Sequence, residues 1–133
     1  MKSLLYTVLN TITEVALNNA IPLGFISRKY GCNIVASGSA ITIKKPGYYD
    51  IDVSAVIAGQ ETGDITLTLL QDGIEVPGAT GTETFTVAAT QPRNISFSPM
   101  VRVFCCKPSM FQIVVSGTTA PIVSNLAVKI VEV

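Results

Sequence analysis

The sequence predicts an all-β chain folded as an antiparallel two-sheet sandwich or barrel. Three observations carry this. Val, Ile and Thr number 15, 14 and 14 of 133 residues. Their β-branched side chains are stiff at χ1 and fit a pleated surface better than a helix. Turn signals built on Gly, Pro, Asn and Asp recur at roughly the 8–15-residue spacing of sandwiches. Between them, several runs alternate apolar and polar residues with period two. A chain of 133 residues is expected to form one domain, residues 1–133.

The elements follow in order. The apolar run Leu4–Leu9 stops at Asn10, short of the ~7–15 residues of a signal-peptide core, so residues 1–20 are read as an N-terminal strand or arm at an assembly contact. Thr11–Asn18 is the one helix candidate, short and followed by Asn19 and Pro22. Residues 48–57 put Tyr49, Ile51, Val53 and Ala55 on one face and Asp50, Asp52 and Ser54 on the other. Residues 65–70 alternate likewise, and Asp72-Gly73 signals a tight hairpin into Ile74-Glu75-Val76. A turn is expected at Pro77-Gly78, and another strand at 84–88 with Phe85 and Val87. The run 94–104 is broken by Pro99, which cannot donate to a ladder. Strands at 111–115 and 126–133 complete the set.

Composition narrows function. Lys+Arg and Asp+Glu are 9 each, so the net charge is zero, and charged residues make up 14% of the chain, against about 25% in ordinary domains. That balance lacks the basic footprint of a nucleic-acid binder. There is no His, which removes Ser-His-Asp triads, histidine zinc sites and histidine general bases. No run reaches the ~18–20 apolar residues of a membrane-spanning helix. A chain so apolar and uncharged favours association over a solitary monomer.

Some strands are apolar on both faces. Val114 lies behind Phe111, Ile113 and Val115; Val131 and Val133 oppose Leu126, Val128 and Ile130; Leu70 shares the face of Thr66 and Thr68. A sheet covered twice, by its own core and by a neighbouring subunit, accounts for this. Leu70, Phe111, Val114 and Val131 are therefore the candidate interface residues.

The three cysteines are read as small apolar core residues. Cys32 stands alone, and Cys105 and Cys106 are adjacent, so one of that pair points inward on a strand. A disulfide from Cys32 to one of them is the alternative. A metal site is not expected from three Cys without His. Asp50 and Asp52 share a strand face, where a solvated surface or an ion pair with a base such as Arg102 outweighs a calcium or acid–base site. Arg28-Lys29 and Lys44-Lys45 read as edge-strand charge. Among Tyr30, Tyr48 and Tyr49, the adjacent pair face opposite ways, so packing outweighs a sugar-binding platform.

Several motifs occur together and in order: Arg28-Lys29-Tyr30-Gly31-Cys32-Asn33-Ile34, Gly47-Tyr48-Tyr49, Gln71-Asp72-Gly73 with Val76-Pro77-Gly78-Ala79, and Val101-Arg102-Val103-Phe104-Cys105-Cys106. The segment from Lys44 to Ile57 resembles the Gly-x-Tyr strand of the trimeric jelly rolls typified by tumour necrosis factor and the complement globular head. The whole set is similar to small proteins encoded by phages and prophages of Gram-positive gut bacteria. The resemblance implies a homotrimeric jelly-roll sandwich without enzymatic activity, metal or cofactor. It implies a phage structural protein that decorates or assembles into the virion, made in the bacterial host cytoplasm, with itself and other virion proteins as partners. The alternative is a receptor-binding adhesin module at a tail-fibre tip, recognising a cell-surface glycan or protein. Neither nucleic acid nor membrane is an expected partner.

Overall fold

The computed structural model describes residues 2–86, 92–105 and 107–133. Among these residues twelve strands form two antiparallel sheets, and there is no helix. The strands are β1 (Leu4–Leu9), β2 (Thr13–Glu14), β3 (Phe25–Tyr30), β4 (Ile34–Ser37), β5 (Ala40–Ile43), β6 (Gly47–Gly59), β7 (Gly63–Gln71), β8 (Ile74–Phe85), β9 (Arg93–Phe97), β10 (Met100–Val103), β11 (Ser109–Gly117) and β12 (Pro121–Glu132). Sheet A runs β10-β6-β12-β1-β3, with β9 also on β6 and β2 on β12; sheet B runs β4-β5-β11-β7-β8. Long crossovers between face-to-face antiparallel sheets make this a jelly roll.

The strand β6 shows why these residues form these elements. Tyr49, Ile51, Val53, Ala55 and Ile57 are all buried, and the residues between them face outward. It is flanked along its length by β12, whose Leu126, Val128 and Ile130 are buried on the same side. Sheet B answers with Ile65, Leu67 and Leu69 of β7 and Phe111, Ile113 and Val115 of β11. The core lies between these two inner faces, as aligned sheet packing requires.

Two strands change phase midway. In β12, Val123 pairs with Ile57 but Asn125 pairs with Val56, leaving Ser124 as an extra residue. Its hydroxyl donates to the Val56 carbonyl at 3.2 Å. The bulge keeps Val123 before it and Leu126 after it turned inward. The strand predicted at 126–133 therefore begins earlier, at Pro121. In β8 the expected turn at Pro77-Gly78 is instead an irregularity within one strand, where pairing jumps from Leu70↔Glu75 to Thr68↔Thr80. Gly78, at φ +78°, supplies the left-handed conformation there. The strand predicted at 84–88 is the end of β8 as far as Phe85; Val87 lies outside the described residues. The break at Pro99 separates β9 from β10, both paired with β6. The Asp72-Gly73 hairpin has both residues at positive φ, 52° and 84°, the two-residue turn matched to strand twist.

The helix expected at Thr11–Asn18 does not form. Val15 N–H donates to the Pro121 carbonyl and Asn18 N–H to the Val115 carbonyl, so the backbone of this segment is satisfied by strands of both sheets. The N-terminal strand is integral: β1 sits between β12 and β3.

Within β1, Thr7 is 1% exposed, and its hydroxyl has no hydrogen-bond partner among the described residues. Thr7→Val keeps the shape and removes the unsatisfied oxygen. It is expected to raise stability by about 1 kcal/mol in denaturant titrations; a loss of stability would show that the hydroxyl is satisfied.

One polar cluster ties the chain ends together. Glu132, buried at the end of β12, accepts the Ser3 N–H at 2.9 Å on Oε1 and the Lys45 ammonium at 2.8 Å on Oε2. Tyr49, buried on β6, donates its hydroxyl to the Lys45 carbonyl at 2.7 Å. The hydrogen bond from Lys45, then that from Ser3, holds the Glu132 carboxyl below its usual range. Burial, with the nearby Glu132 charge, pushes the Tyr49 phenol up.

Candidate assembly interface

The two outer faces of the sandwich differ in chemistry. On sheet B, the register sets Thr66 beside Thr82, Thr68 beside Thr80 and Asp64 beside Thr84. The hydroxyls are largely paired: Thr66 with Thr82 at 2.9 Å, Thr84 to Asp64 and Thr80 to Glu75, both at 2.8 Å. That is a solvated face.

Sheet A presents something else. The register of β3, β1, β12, β6 and β10 lays out cross-strand rows. One row reads Tyr30, Leu4, Val131, Asp50 and Met100. The next reads Arg28, Tyr6, Lys129 and Asp52, and a third runs from Phe25 through Val8 and Ala127 to Ser54. Leu4, Phe25, Tyr30, Tyr48 and Met100 are large apolar side chains exposed on these strands, with Phe104 and Val133 just beyond them; Ile26, opposite the buried Thr7, is exposed on the other side of the β3 edge. Sheet B exposes only Ile74 and Met110 of this kind among the described residues. Apolar side chains gathered on one face mark an interaction surface, whereas single scattered ones do not. The centre of the face is polar: Lys129 meets Asp52 at 3.4 Å beside a depression of about 410 Å³ that Ser54, Ser96 and Ser98 also line.

The four candidate interface residues do not come together. Val131 lies on the outer face of sheet A, half-buried between Leu4 and Asp50. Leu70 and Val114 lie on the outer face of sheet B, half-buried among threonines. Phe111 is 1% exposed and belongs to the core. Period-two alternation identifies residues sharing a strand face, and nothing in it says which sheet a strand joins. The surface residues missed are Phe25 and Met100, each of which looks unremarkable in its own strand; Leu4 falls within the arm expected at an assembly contact, and Tyr48 among the tyrosines expected to pack.

The cysteines depart from the core reading. Cys32 lies in the turn between β3 and β4 and Cys105 in the connection after β10, and both are exposed thiols. Strand alternation does not govern side chains in turns. Cys106 lies outside the described residues. Asp52 pairs with Lys129, not with Arg102. Arg28 and Lys29 do lie on an edge strand, β3. Lys45 instead serves the Glu132 cluster. Tyr48 and Tyr49 face opposite ways, the first half-exposed and the second buried. No group of three or more Cys, Asp or Glu with metal-binding geometry occurs among the described residues. Nor is any helix there long and apolar enough to cross a membrane.

No protein-family model matches the chain, and no curated protein matches it in sequence. Solved structures do match in shape. Murine APRIL superposes with a TM-score of 0.76 over all of both chains at 10% identity. An Eiger TNF structure from S. frugiperda gives 0.69, covering all of this chain and 92% of that one at 9% identity. The globular domain of zebrafish complement 1qA gives 0.65, covering all of this chain and 97% of that one at 12% identity. At such identities the likeness establishes architecture: the chain has the jelly-roll fold seen in tumour-necrosis-factor-type and complement globular domains.

Proposed function

We propose that this chain is a non-enzymatic building block that forms a homotrimer through the outer face of sheet A and, as a trimer, decorates or assembles into a phage particle. The observation that carries the assembly is the apolar set Leu4, Phe25, Tyr30, Tyr48 and Met100 exposed on one sheet. Charge supports a second copy as the occupant. The basic Arg28 sits at the β3 edge of this face, beside Tyr6, and the acidic Asp50 and Asp52 sit on β6 nearer the other edge. A rotation that sets one edge against the other of the next protomer is a heterologous contact, and such a contact gives a closed trimer where the rotation is threefold. The zero net charge also fits a chain that associates with itself. The virion role rests on the motifs shared with phage and prophage proteins, from Arg28 to Ile34 and from Val101 to Cys105-Cys106.

Size-exclusion chromatography with light scattering on the full chain tests the assembly. A trimer is expected at micromolar concentration, and a monomer would refute it. Val131→Asp, which places a second carboxylate beside Asp50, is expected to give monomers. Thr68→Asp on the other outer face is expected to leave the trimer intact. Mass spectrometry of purified particles tests the virion role: many copies per particle support decoration, and absence from particles excludes it.

A further inference from the structure

A groove of about 600 Å³ lies between the β7–β8 hairpin and β10, within the ~300–1,000 Å³ of small-ligand sites. Its lining includes Arg102, Phe104 and Lys107 on one side and Asp72, Ile74 and Glu75 on the other. The Arg102 guanidinium lies 4.6 Å from the ring centre of Phe104 and 5.6 Å from that of Tyr48. Stacking of this kind holds the guanidinium plane and leaves its N–H edges for a planar, bidentate acceptor. Among the described residues no carboxylate stands within ion-pair distance of Arg102 or Lys107. The groove's own carboxylates are engaged elsewhere: Asp72 Oδ1 accepts the Met110 N–H at 2.9 Å, and Glu75 Oε1 accepts the Thr80 hydroxyl at 2.8 Å.

We propose that this groove binds a carboxylated saccharide, with Arg102 gripping the carboxylate in a bidentate pair, Lys107 adding a second cation and Phe104 offering an apolar surface to the sugar ring. The groove as a whole is charge-balanced, but Arg102 and Lys107 stand together on its β10 side with no ion-pair partner among the described residues, and that side names the anion. The exposed ring beside it favours a flat ligand with apolar C–H faces. An added peptide strand fits less well. The Arg102 carbonyl, at the free edge of β10, already accepts Gln71 Nε2 at 2.8 Å, so that edge has lost an acceptor a strand would need.

The test is calorimetric and NMR titration of the full chain with trigalacturonate, its methyl ester and an acidic hexapeptide. Saturable binding of the acid is expected, with shifts at the Arg102 side chain. Binding of the ester, and of the acid to Arg102→Ala, is expected to be at least about tenfold weaker, the factor for losing a bidentate charge-assisted pair. Arg102→Lys is expected to fall between, and Lys44→Ala, exposed after β5 and away from both the groove and the outer face of sheet A, to bind like the parent chain. Melting curves of the Arg102 variants are expected to match the parent, because the side chain is exposed. No saturation up to ~10 mM, equal binding of the ester, or binding of the peptide without the sugar would each overturn the proposal.

Discussion

Phe111→Ala is expected to destabilise the fold by about 3–5 kcal/mol, the range for removing a buried aromatic and leaving a cavity. The ring is 1% exposed at the inner face of β11, where the strand passes from pairing β5 to pairing β7, opposite β6 and β12. For a chain of this size that corresponds to a fall in melting temperature of about 10–20 °C. Circular dichroism melts at two protein concentrations check it. Association stabilises the folded state in a concentration-dependent way, whereas a core loss is the same at both. Val114→Ala, outward-facing on the same strand, is expected to cost under about 1 kcal/mol. A small effect at Phe111 that shrank on dilution would return this residue to the interface.

That pair of substitutions also marks how far sequence periodicity reaches. The β6 alternation is unbroken from Tyr49 to Ile57, so both the strand and its buried face are legible in the sequence alone. In β12 the extra Ser124 moves the buried set from Val123 to Leu126, and a reader following period two loses the strand at that point. The Pro77-Gly78 irregularity in β8 hides continuity in the same way. The segment after Asn10 carries helix-compatible residues, but its N–H groups find carbonyls on β11 and β12, a tertiary partnership no local pattern encodes.

The surface was less legible than the core for a related reason. Residues such as Leu4, Tyr30 and Met100 share one row only because β3, β1, β12, β6 and β10 lie side by side, and that order follows from chain crossovers. The grouping of Leu70 and Val114 with Val131 fails on this point. The stacking of Arg102 between Tyr48 and Phe104 is similarly beyond reach, since Tyr48 is brought to it by the β6–β10 register. What composition did convey was global. The scarcity of charge predicts a covered surface, and sheet A is where apolar side chains are exposed together.

Glu132→Ala is expected to cost about 2–3 kcal/mol, less than the ~3–5 kcal/mol of breaking a fully buried ion pair. The Glu132 side chain is 10% exposed, but its partner Lys45 is 46% exposed and can rehydrate when left alone. The remaining loss comes from the buried Ser3 N–H, which would have no acceptor. Glu132→Gln keeps an oxygen for Ser3 and gives up the charge, so a loss of about 1 kcal/mol is expected. The pH dependence follows from the direction of the shift. Folding lowers the Glu132 pKa below its ordinary value of 4.5, through Lys45 first and Ser3 second. Its contribution is therefore fully present above that value and is lost as pH falls through the lower, folded value. Denaturant titrations of the parent chain and Glu132→Gln are expected to run parallel near neutrality and converge on acidification below 4.5. Curves that stayed parallel throughout would mean that the Ser3, Lys45 and Glu132 cluster does not form in solution. Because this cluster joins β1 to β12 beside Val131, in the row that also holds Leu4, its loss loosens the sheet through which the trimer is proposed to form. Acidification is thus expected to weaken assembly in the parent chain, with Glu132→Gln dissociating more readily at neutral pH and showing less further change as pH falls.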